Sequence, residues 1–392
     1  MAIVLPSGLV GPETLGDYRL RGGYEGLARA AALGPEGVIG ELVASGLRGR
    51  GGAAFPTGDK WRLVRDASGP DKVIVANGAE GEPGSMKDRT TMARVPHAVL
   101  EGIWLAAYAT GAGRAVVYIN DEFADAVGAM RAALGEALAA GVASVAGAPP
   151  VPVEILAETH VYIAGEETAL LNVLMGKAAV PWHKPPYPTE KGLDGLPTLV
   201  NNVETLAQAA AVARIGAGAY RQAAPMLFSV SGDVARPGVY ELPLGTRLSD
   251  LVGAAGGMAG GAAFRAVLPG GYSTPMLGAD AFDVALDYDS VRAAGSGLGC
   301  SIIVLGAARD LRQVAAEVME FFSRESCGRC PTCVRGTRTL ADALAAGPGD
   351  DADLIVQAER LRHKGICSFL DTAARFTASS VGLGAEPADA TA

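Results

Sequence analysis
The sequence predicts an α/β protein built around a largely parallel sheet, followed by a small β-grasp-type domain and a C-terminal helical bundle. Three features of the chain carry that expectation. Residues 72–76 (KVIVA) and 115–119 (AVVYI) are short apolar runs with a helical stretch between them from about 96 to 109. Strands alternating with helices are the pattern of a parallel sheet with helical crossovers. From Pro225 the texture changes to LFSVSGDVARPGVYELPLGTRLSDLVGAAGG, in which strand-like VSG and GVYEL segments flank a Pro-Gly turn and a short helix follows. Beyond Ala308 apolar residues recur at helical spacing, with Val314, Val318, Phe321 and Phe322 on one face and then Leu354, Ala358 and Leu361. The expected domains are 1–222, 223–307 and 308–392. The first opens with short helical patterns at Tyr24-Leu27-Ala28 and 38–42, and the terminal GAEPADATA is expected to fray.

The chain has 392 residues, 49% of them apolar, so there is ample interior to bury a cofactor. Its 53 glycines are read as turns and close backbone approaches rather than as disorder. A net charge of -9 argues against nucleic-acid partners, whose phosphates attract clustered Lys and Arg. The opening MAIVLPSGLVGPE lacks the charged start and long apolar core of a secretory signal. The best uncharged window, 137–153, is too short for a bilayer span and ends among prolines, so no direct membrane insertion is expected. Five cysteines are too few for a disulfide scaffold in a chain this long, which points to metal in a reducing compartment. The expected location is the cytoplasm.

Cys327, Cys330 and Cys333 form C-x2-C-x2-C in ESCGRCPTCVRG, with Cys367 standing alone in HKGICSFL. Four thiolates are the ligand count of a four-iron cubane. Two-residue spacers let one tight loop serve three corners while a distant cysteine closes the site. Structural zinc more often uses two separated C-x2-C pairs, and unliganded core cysteines are the remaining alternative. Arg329, Arg335, Arg362 and Lys364 flank the motif, either to offset the negative charge of a thiolate cluster or simply as solvated surface. Cys300 reads as a packed small hydrophobe.

Residues 48–60 (RGRGGAAFPTGDK) match neither a Walker loop nor a dinucleotide fingerprint. Adjacent glycines still allow backbone N–H groups to converge on a phosphate, with Arg50 and Lys60 supplying charge; a surface loop is the plain alternative. The turn NGAEGEPGSMKDR follows KVIVA and so occupies the carboxyl end of a strand, where open α/β folds bind ligands. There Asn77 can both donate and accept, and Glu80 and Glu82 can bind ribose hydroxyls, unless they are ordinary solvated acids. In YIAGEETALLNVLMGK, Glu166 and Glu167 open a helix whose Ala169, Leu170, Val173 and Leu174 are expected to face inward. KPPYP presents Tyr187, and NNVET offers Asn201, Asn202 and Thr205, either as polar partners for a cofactor or as a turn.

As a set and in this order, GLRGRGGAAFPTGDKW, EPGSMKDR, GEETALL, KPPYP, NNVET, RPGVYELPLGT, RAAGSGLG and ESCGRC closely resemble the FMN-binding flavoprotein subunit of NADH:quinone oxidoreductase (respiratory complex I) and its relatives in soluble hydrogenases and formate dehydrogenases. The resemblance covers nearly the whole chain. It implies a Rossmann-like FMN domain, a ubiquitin-like β-grasp domain of the SLBB type, and a helical domain holding a [4Fe-4S] cluster. By this likeness Gly49, Gly51, Gly52, Lys60, Asn77, Tyr162, Glu166, Asn201, Asn202 and Thr205 line FMN. Phe55 and Tyr187 stack on the adenine of NADH, while Glu82 and Glu167 lie near its ribose and nicotinamide. Cys327, Cys330, Cys333 and Cys367 hold the cluster. No side chain is expected to be catalytic, because hydride passes from nicotinamide to FMN directly.

The resemblance further implies a partner, a small thioredoxin-like [2Fe-2S] subunit or ferredoxin, within a larger redox complex peripheral to the inner face of the plasma membrane. Acidic neighbours such as Glu82 and Glu167 favour NADH over NADPH. Several positions depart from the family pattern. Ala79 stands where a flavin-side carboxylate is usual, Ala54 where Gly precedes Phe, Leu63 where an aromatic follows Lys-Trp, and Ala164 where a Cys precedes G-E-E. Ala79 and Leu63 motivate a rival reading, a non-catalytic electron-relay or assembly subunit with an impaired nucleotide site. A zinc-stabilised binding module is another. NGAE is also similar to the nucleotide-binding peripheral subunit of the membrane ferredoxin:NAD oxidoreductase complex, but that family carries two cysteine-rich clusters.

Overall fold
The computed structural model describes residues 2–159 and 161–384. The expectation for the C-terminal tail beyond 384 lies outside the described residues. The chain forms two compact units. The first comprises the residues up to Glu80 with Met86–Ala178 and Lys184–Met226; the second comprises Gly81–Ser85, Ala179–His183 and the described chain from Leu227 on. The β-grasp sheet and the C-terminal helices, expected to meet near 307/308, both lie in this second unit.

In the first unit the elements run α1 (Leu15–Leu20), α2 (Glu25–Ser45), α3 (Thr57–Asp66), β1 (Val73–Gly78), α4 (Lys87–Arg94), α5 (Pro96–Thr110), β2 (Arg114–Asn120), α6 (Ala124–Ala139), β3 (Val153–Glu158), α7 (Glu167–Leu174), β4 (Thr198–Asn202), α8 (Val203–Ile215) and α9 (Ala217–Ala223). The sheet order is β3-β2-β1-β4, and every pairing is parallel. Val73, Ile74, Val75 and Ala76 are fully buried, as expected of a central strand covered on both faces. The helix expected near 96–109 is α5, buried along nearly its whole length. Its Gly102 is required by close approach, since a Cβ there would stand 2.1 Å from the Leu206 carbonyl oxygen of α8. The short helical patterns at the start merge into α2, which bends where Gly34 (φ 72) precedes Pro35.

In the second unit β5 (Pro225–Gly232), β6 (Gly238–Pro243), α10 (Leu248–Ala254), β7 (Phe264–Tyr272), α11 (Tyr288–Ala293) and β8 (Ser301–Gly306) precede α12 (Leu311–Arg324), α13 (Pro331–Ala345), α14 (Asp351–Leu361) and α15 (Phe369–Gly384). The sheet order is β6-β5-β8-β7, with β5 parallel and β7 antiparallel to β8. The buried stripe of α12 is Leu311, Ala315, Val318, Met319 and Phe322. This stripe keeps a true 3.6-residue period and so leaves the expected Val314 and Phe321 half-buried. Phe321 packs edge-on against Tyr272, with ring centroids 5.4 Å apart. Among the described residues no helix is long and apolar enough to cross a membrane.

Candidate functional site
The chain order of the first sheet creates a switch point. From β1 the path moves outward to β2 and β3, and β4 then returns on the other side of β1. In open parallel sheets the crevice outside the carboxyl ends of strands at such a reversal is the ligand site. The residues in register at this end of β1 and β4 are Asn77 and Asn202.

Asn202 has all four hydrogen-bonding positions of its carboxamide filled by protein. Oδ1 accepts from Lys87 Nζ (3.2 Å) and from the Glu204 N–H (3.0 Å), which caps α8. Nδ2 donates to Asp88 Oδ2 (2.7 Å) and to the Asn77 carbonyl (3.4 Å). Its side chain therefore fastens the site together. Asn201 is placed differently: the buried Trp61 indole donates to its Oδ1 (2.8 Å), which aims the amide NH2 away from Trp61 and leaves it without a protein acceptor among the described residues.

The glycine loop joins the same sheet end. Its base is closed by the Gly49 N–H donating to the Phe55 carbonyl (2.8 Å) and by a bridge between Arg48 and Pro56. The Arg50 N–H donates to Thr205 Oγ1 (2.8 Å), and the Arg50 guanidinium donates to the Pro225 carbonyl (3.1 Å), lying 4.0 Å from Glu204. Thr205 and Arg50 thus act on loop position. The tip, Gly51 and Gly52, is exposed, and Ala54 adopts φ 51, a left-handed conformation in which its methyl is strained.

Asn77 also reaches the third segment, because its Nδ2 donates to the Gly165 carbonyl (3.2 Å) at the end of the 3-10 turn Tyr162–Gly165. The half-buried Tyr162 is carried by that turn. Asn77 Oδ1 accepts from the Ala79 N–H (3.0 Å), so the departure at position 79 leaves a small buried residue folded over the strand end. Gly78 has no room for a side chain: a Cβ would stand 2.8 Å from both Met92 Sδ and the Tyr118 carbonyl oxygen.

Glu166 caps α7, accepting from the Thr168 and Ala169 N–H groups (2.8 and 3.0 Å). Glu167 is gripped by Lys60 (2.9 Å) and Lys184 (2.7 Å), with Lys184 also 3.1 Å from Glu166. Burial works against the Glu167 charge, yet the two lysines hold its carboxyl below the usual range. The Lys184 ammonium, opposed likewise by burial, is raised by its two glutamates. The buried face of α7 is Thr168, Ala169, Leu170 and Leu171; the expected Val173 and Leu174 are only half-buried because the helix ends at Leu174.

Glu80 does not offer its carboxylate to a ribose. It accepts from the Asp88 and Arg89 N–H groups (2.9 and 3.1 Å), satisfying the first turn of α4, whose N-cap Met86 has no capping side chain. Glu82 belongs to the second unit, where it accepts from the Ser273 N–H (3.1 Å) and hydroxyl (2.6 Å). Phe55 and Tyr187 are 47% and 51% exposed, the state expected of aromatics reserved for stacking. Leu63 on α3 is 52% exposed. Sequence reasoning missed Trp61, Lys87, Asp88, Glu204 and Lys184 as parts of the site. Polar residues inside amphipathic helices signal little until the sheet brings them together.

In the second unit Cys330 is the N-cap of α13, Pro331 fills its first position, and Cys333 lies buried in its first turn. Burial pushes the Cys333 thiol up to about 11; Ser326 opposes this, and the nearby Cys367, Cys330 and Cys327 add to it. Among the described residues no three His, Cys, Asp or Glu side chains converge to hold a single metal ion. A cubane instead takes one thiolate at each of four corners, so this donor set fits it. Arg329, Arg335 and Lys364 are exposed, and Arg362 pairs with Glu359 (2.8 Å). Cys300 is half-buried rather than fully packed.

Comparison with known proteins agrees segment by segment. Residues 42–211 match the Nuo51 FMN-binding domain, 227–276 the SLBB domain, and 313–383 the NADH-ubiquinone oxidoreductase-F iron-sulfur binding region, a range that contains Cys327, Cys330, Cys333 and Cys367. The chain is 41% identical to the NADH-quinone oxidoreductase F subunit 2 of Rhizobium meliloti (strain 1021), over 87% of this chain and 84% of that protein. The chain belongs to the family of NADH-quinone oxidoreductase F subunits. It is an oxidoreductase flavoprotein subunit carrying FMN and a [4Fe-4S] cluster. The F subunit of Streptomyces coelicolor NADH-quinone oxidoreductase is 38% identical over 92% of this chain and 84% of its own length. That of Escherichia coli K12 is 36% identical over 95% and 86%. Among solved structures, the NAD+-reducing [NiFe]-hydrogenase in its H2-reduced state superposes with a TM-score of 0.84 at 34% identity, over 93% of this chain. This chain spans 64% of that hydrogenase chain.

Proposed function
We propose that this subunit oxidises NADH at the carboxyl end of its parallel sheet and delivers single electrons to a small thioredoxin-like [2Fe-2S] subunit or ferredoxin in a larger redox complex. The observation that carries the reading is the Asn77–Asn202 register pair at the switch point, tied to the glycine loop through Arg50 and Thr205. FMN, when bound, supplies the exchange between a two-electron hydride carrier and one-electron centres. The chain's own residues bind and orient. The glycine loop, with Gly49, Gly51 and Gly52, offers backbone N–H groups to the phosphate. Asn201 offers its amide, Asn77, Asn202 and Thr205 keep the loops in register, and Tyr162 and Glu166 bound the site.

For the nucleotide, exposed Phe55 and Tyr187 are the stacking surfaces, and Lys60 and Lys184 fix Glu167 in place. The preference for NADH over NADPH is part of the proposal; at Glu167 it is weakened, because Lys60 and Lys184 offset that carboxylate's charge. Cys327, Cys330, Cys333 and Cys367 hold the cluster. The proposed location is the cytoplasm, peripheral to the inner face of the plasma membrane through partner subunits. Anaerobic addition of NADH to the purified holoprotein tests the reading: the flavin absorption band bleaches. A flavin band that persists under NADH but bleaches with dithionite refutes nucleotide oxidation and supports the relay alternative.

A further inference from the structure
Beneath the strand ends lies a charged cluster that contributes no group to the ligand contacts proposed above. Lys87, Asp88, Glu204, Arg50 and Glu80 are each less than a tenth exposed. Lys87 Nζ is 2.7 Å from Asp88 Oδ1 and 3.0 Å from Glu204 Oε2. Arg50 faces Glu204 from the glycine loop, and Glu80 lies over the first turn of α4, with Arg89 3.7 Å away at its exposed edge. Asp88 Oδ2 accepts from Asn202 Nδ2, whose other bond reaches the Asn77 carbonyl. The groups facing Asp88 are thus Lys87 on its own helix, Glu80 from the β1 turn, Glu204 from α8 and Asn202 from β4. With all ionised, the buried set holds three carboxylates against two cations.

We propose that Asp88 is a positioning residue of the flavin site that takes up one proton when the site is reduced, relaying its state through Asn202 to the ends of β1 and β4. The inference rests on the NADH-oxidation reading above. A hydride brings two electrons and one proton, so the site gains one negative charge as NAD+ leaves. One solvent proton then forms an O–H bond on the Asp88 carboxylate and cancels that charge. When the two electrons depart singly toward the cluster, the proton that came with the hydride is released to solvent, and the Asp88 O–H bond breaks to return its own proton there too. The carboxylate is suited to this exchange: burial pushes it up to about 7, with Glu80 and Glu204 adding and Lys87 opposing. Its side chain keeps 7% exposure, which gives the proton a path.

Potentiometric titration of bound FMN across pH 6–8.5 tests the idea on the full-length holoprotein. Above pH 7, where Asp88 starts out ionised, the wild type is expected to take up more protons per two electrons than Asp88→Asn, the difference approaching one, and the variant loses that inflection. Equal pH slopes in the two proteins overturn it. Should the variant not fold, redox-difference infrared spectroscopy of the wild type decides. A protonated-carboxyl band is expected on reduction, shifted by D2O and by 13C-aspartate labelling, and its absence overturns the proposal. Protein that retains no flavin, or whose flavin NADH does not reduce although dithionite does, instead defeats the underlying reading, leaving the two failures distinct.

Discussion

The flavin site and the cysteine site differ in how their parts are spread along the chain. Three of the four cysteines proposed to hold the cluster fall within seven residues, 327–333, and only Cys367 comes from elsewhere, in the turn before α15. The flavin site proposed above draws on 48–60, 77–80, 86–89, 162–167, 184–187 and 198–205, segments of the first unit gathered where β4 pairs with β1. One site is held by covalent spacing and the metal itself, the other by a buried polar network. The first should therefore fail completely when a ligand is removed, and the second should weaken by degrees.

The largest effect is expected at the cysteines. Cys333→Ser should abolish the iron and sulfide content while bound FMN changes by less than about twofold, as measured by metal and flavin analysis of the same preparation. Equal loss of flavin would show that the two sites are not separable. Trp61→Phe removes the donor to Asn201 and leaves a buried acceptor unpaired, which should cost ~1–3 kcal/mol in denaturant unfolding. Iron content should not change. Thr205→Val frees the Arg50 N–H from its acceptor and should weaken FMN binding about tenfold, read by flavin fluorescence quenching. The smallest change is Ala54→Gly, which relieves a left-handed alanine and should add up to ~1 kcal/mol of stability.

How much of this was legible varies with the same difference. The cysteine motif stood out by its spacing alone, because a cubane imposes its geometry on adjacent residues. KVIVA and AVVYI announced the parallel strands because a strand buried on both faces has to be continuously apolar. The flavin residues were reached only through resemblance to a family, since two asparagines and a few glycines are common in turns. From the sequence Glu80 is either a ribose partner or a solvated acid; its carboxylate instead satisfies the first turn of α4. Position in the chain does not show which of two neighbouring acids a helix end will claim.

The pH behaviour sharpens the contrast inside the flavin site itself. Glu167 is held below its unfolded value, so its contribution is present above the ordinary glutamate range and is lost as pH falls through the folded value. Asp88 is raised to about 7, so its contribution is complete below the ordinary aspartate range and is lost as pH rises toward and through 7. Unfolding measured against pH should show Glu167→Gln flattening the acid limb and Asp88→Asn flattening the decline toward neutrality.

The central claim is that the crevice at the carboxyl ends of β1 and β4 is where FMN binds. A density map of the FMN-loaded protein tests it most directly. Flavin density is expected against the glycine loop, Asn77 and the Asn201 amide, with Asn202 still bonded to Asp88. Flavin density at any other surface, with this crevice filled by ordered water, would contradict it.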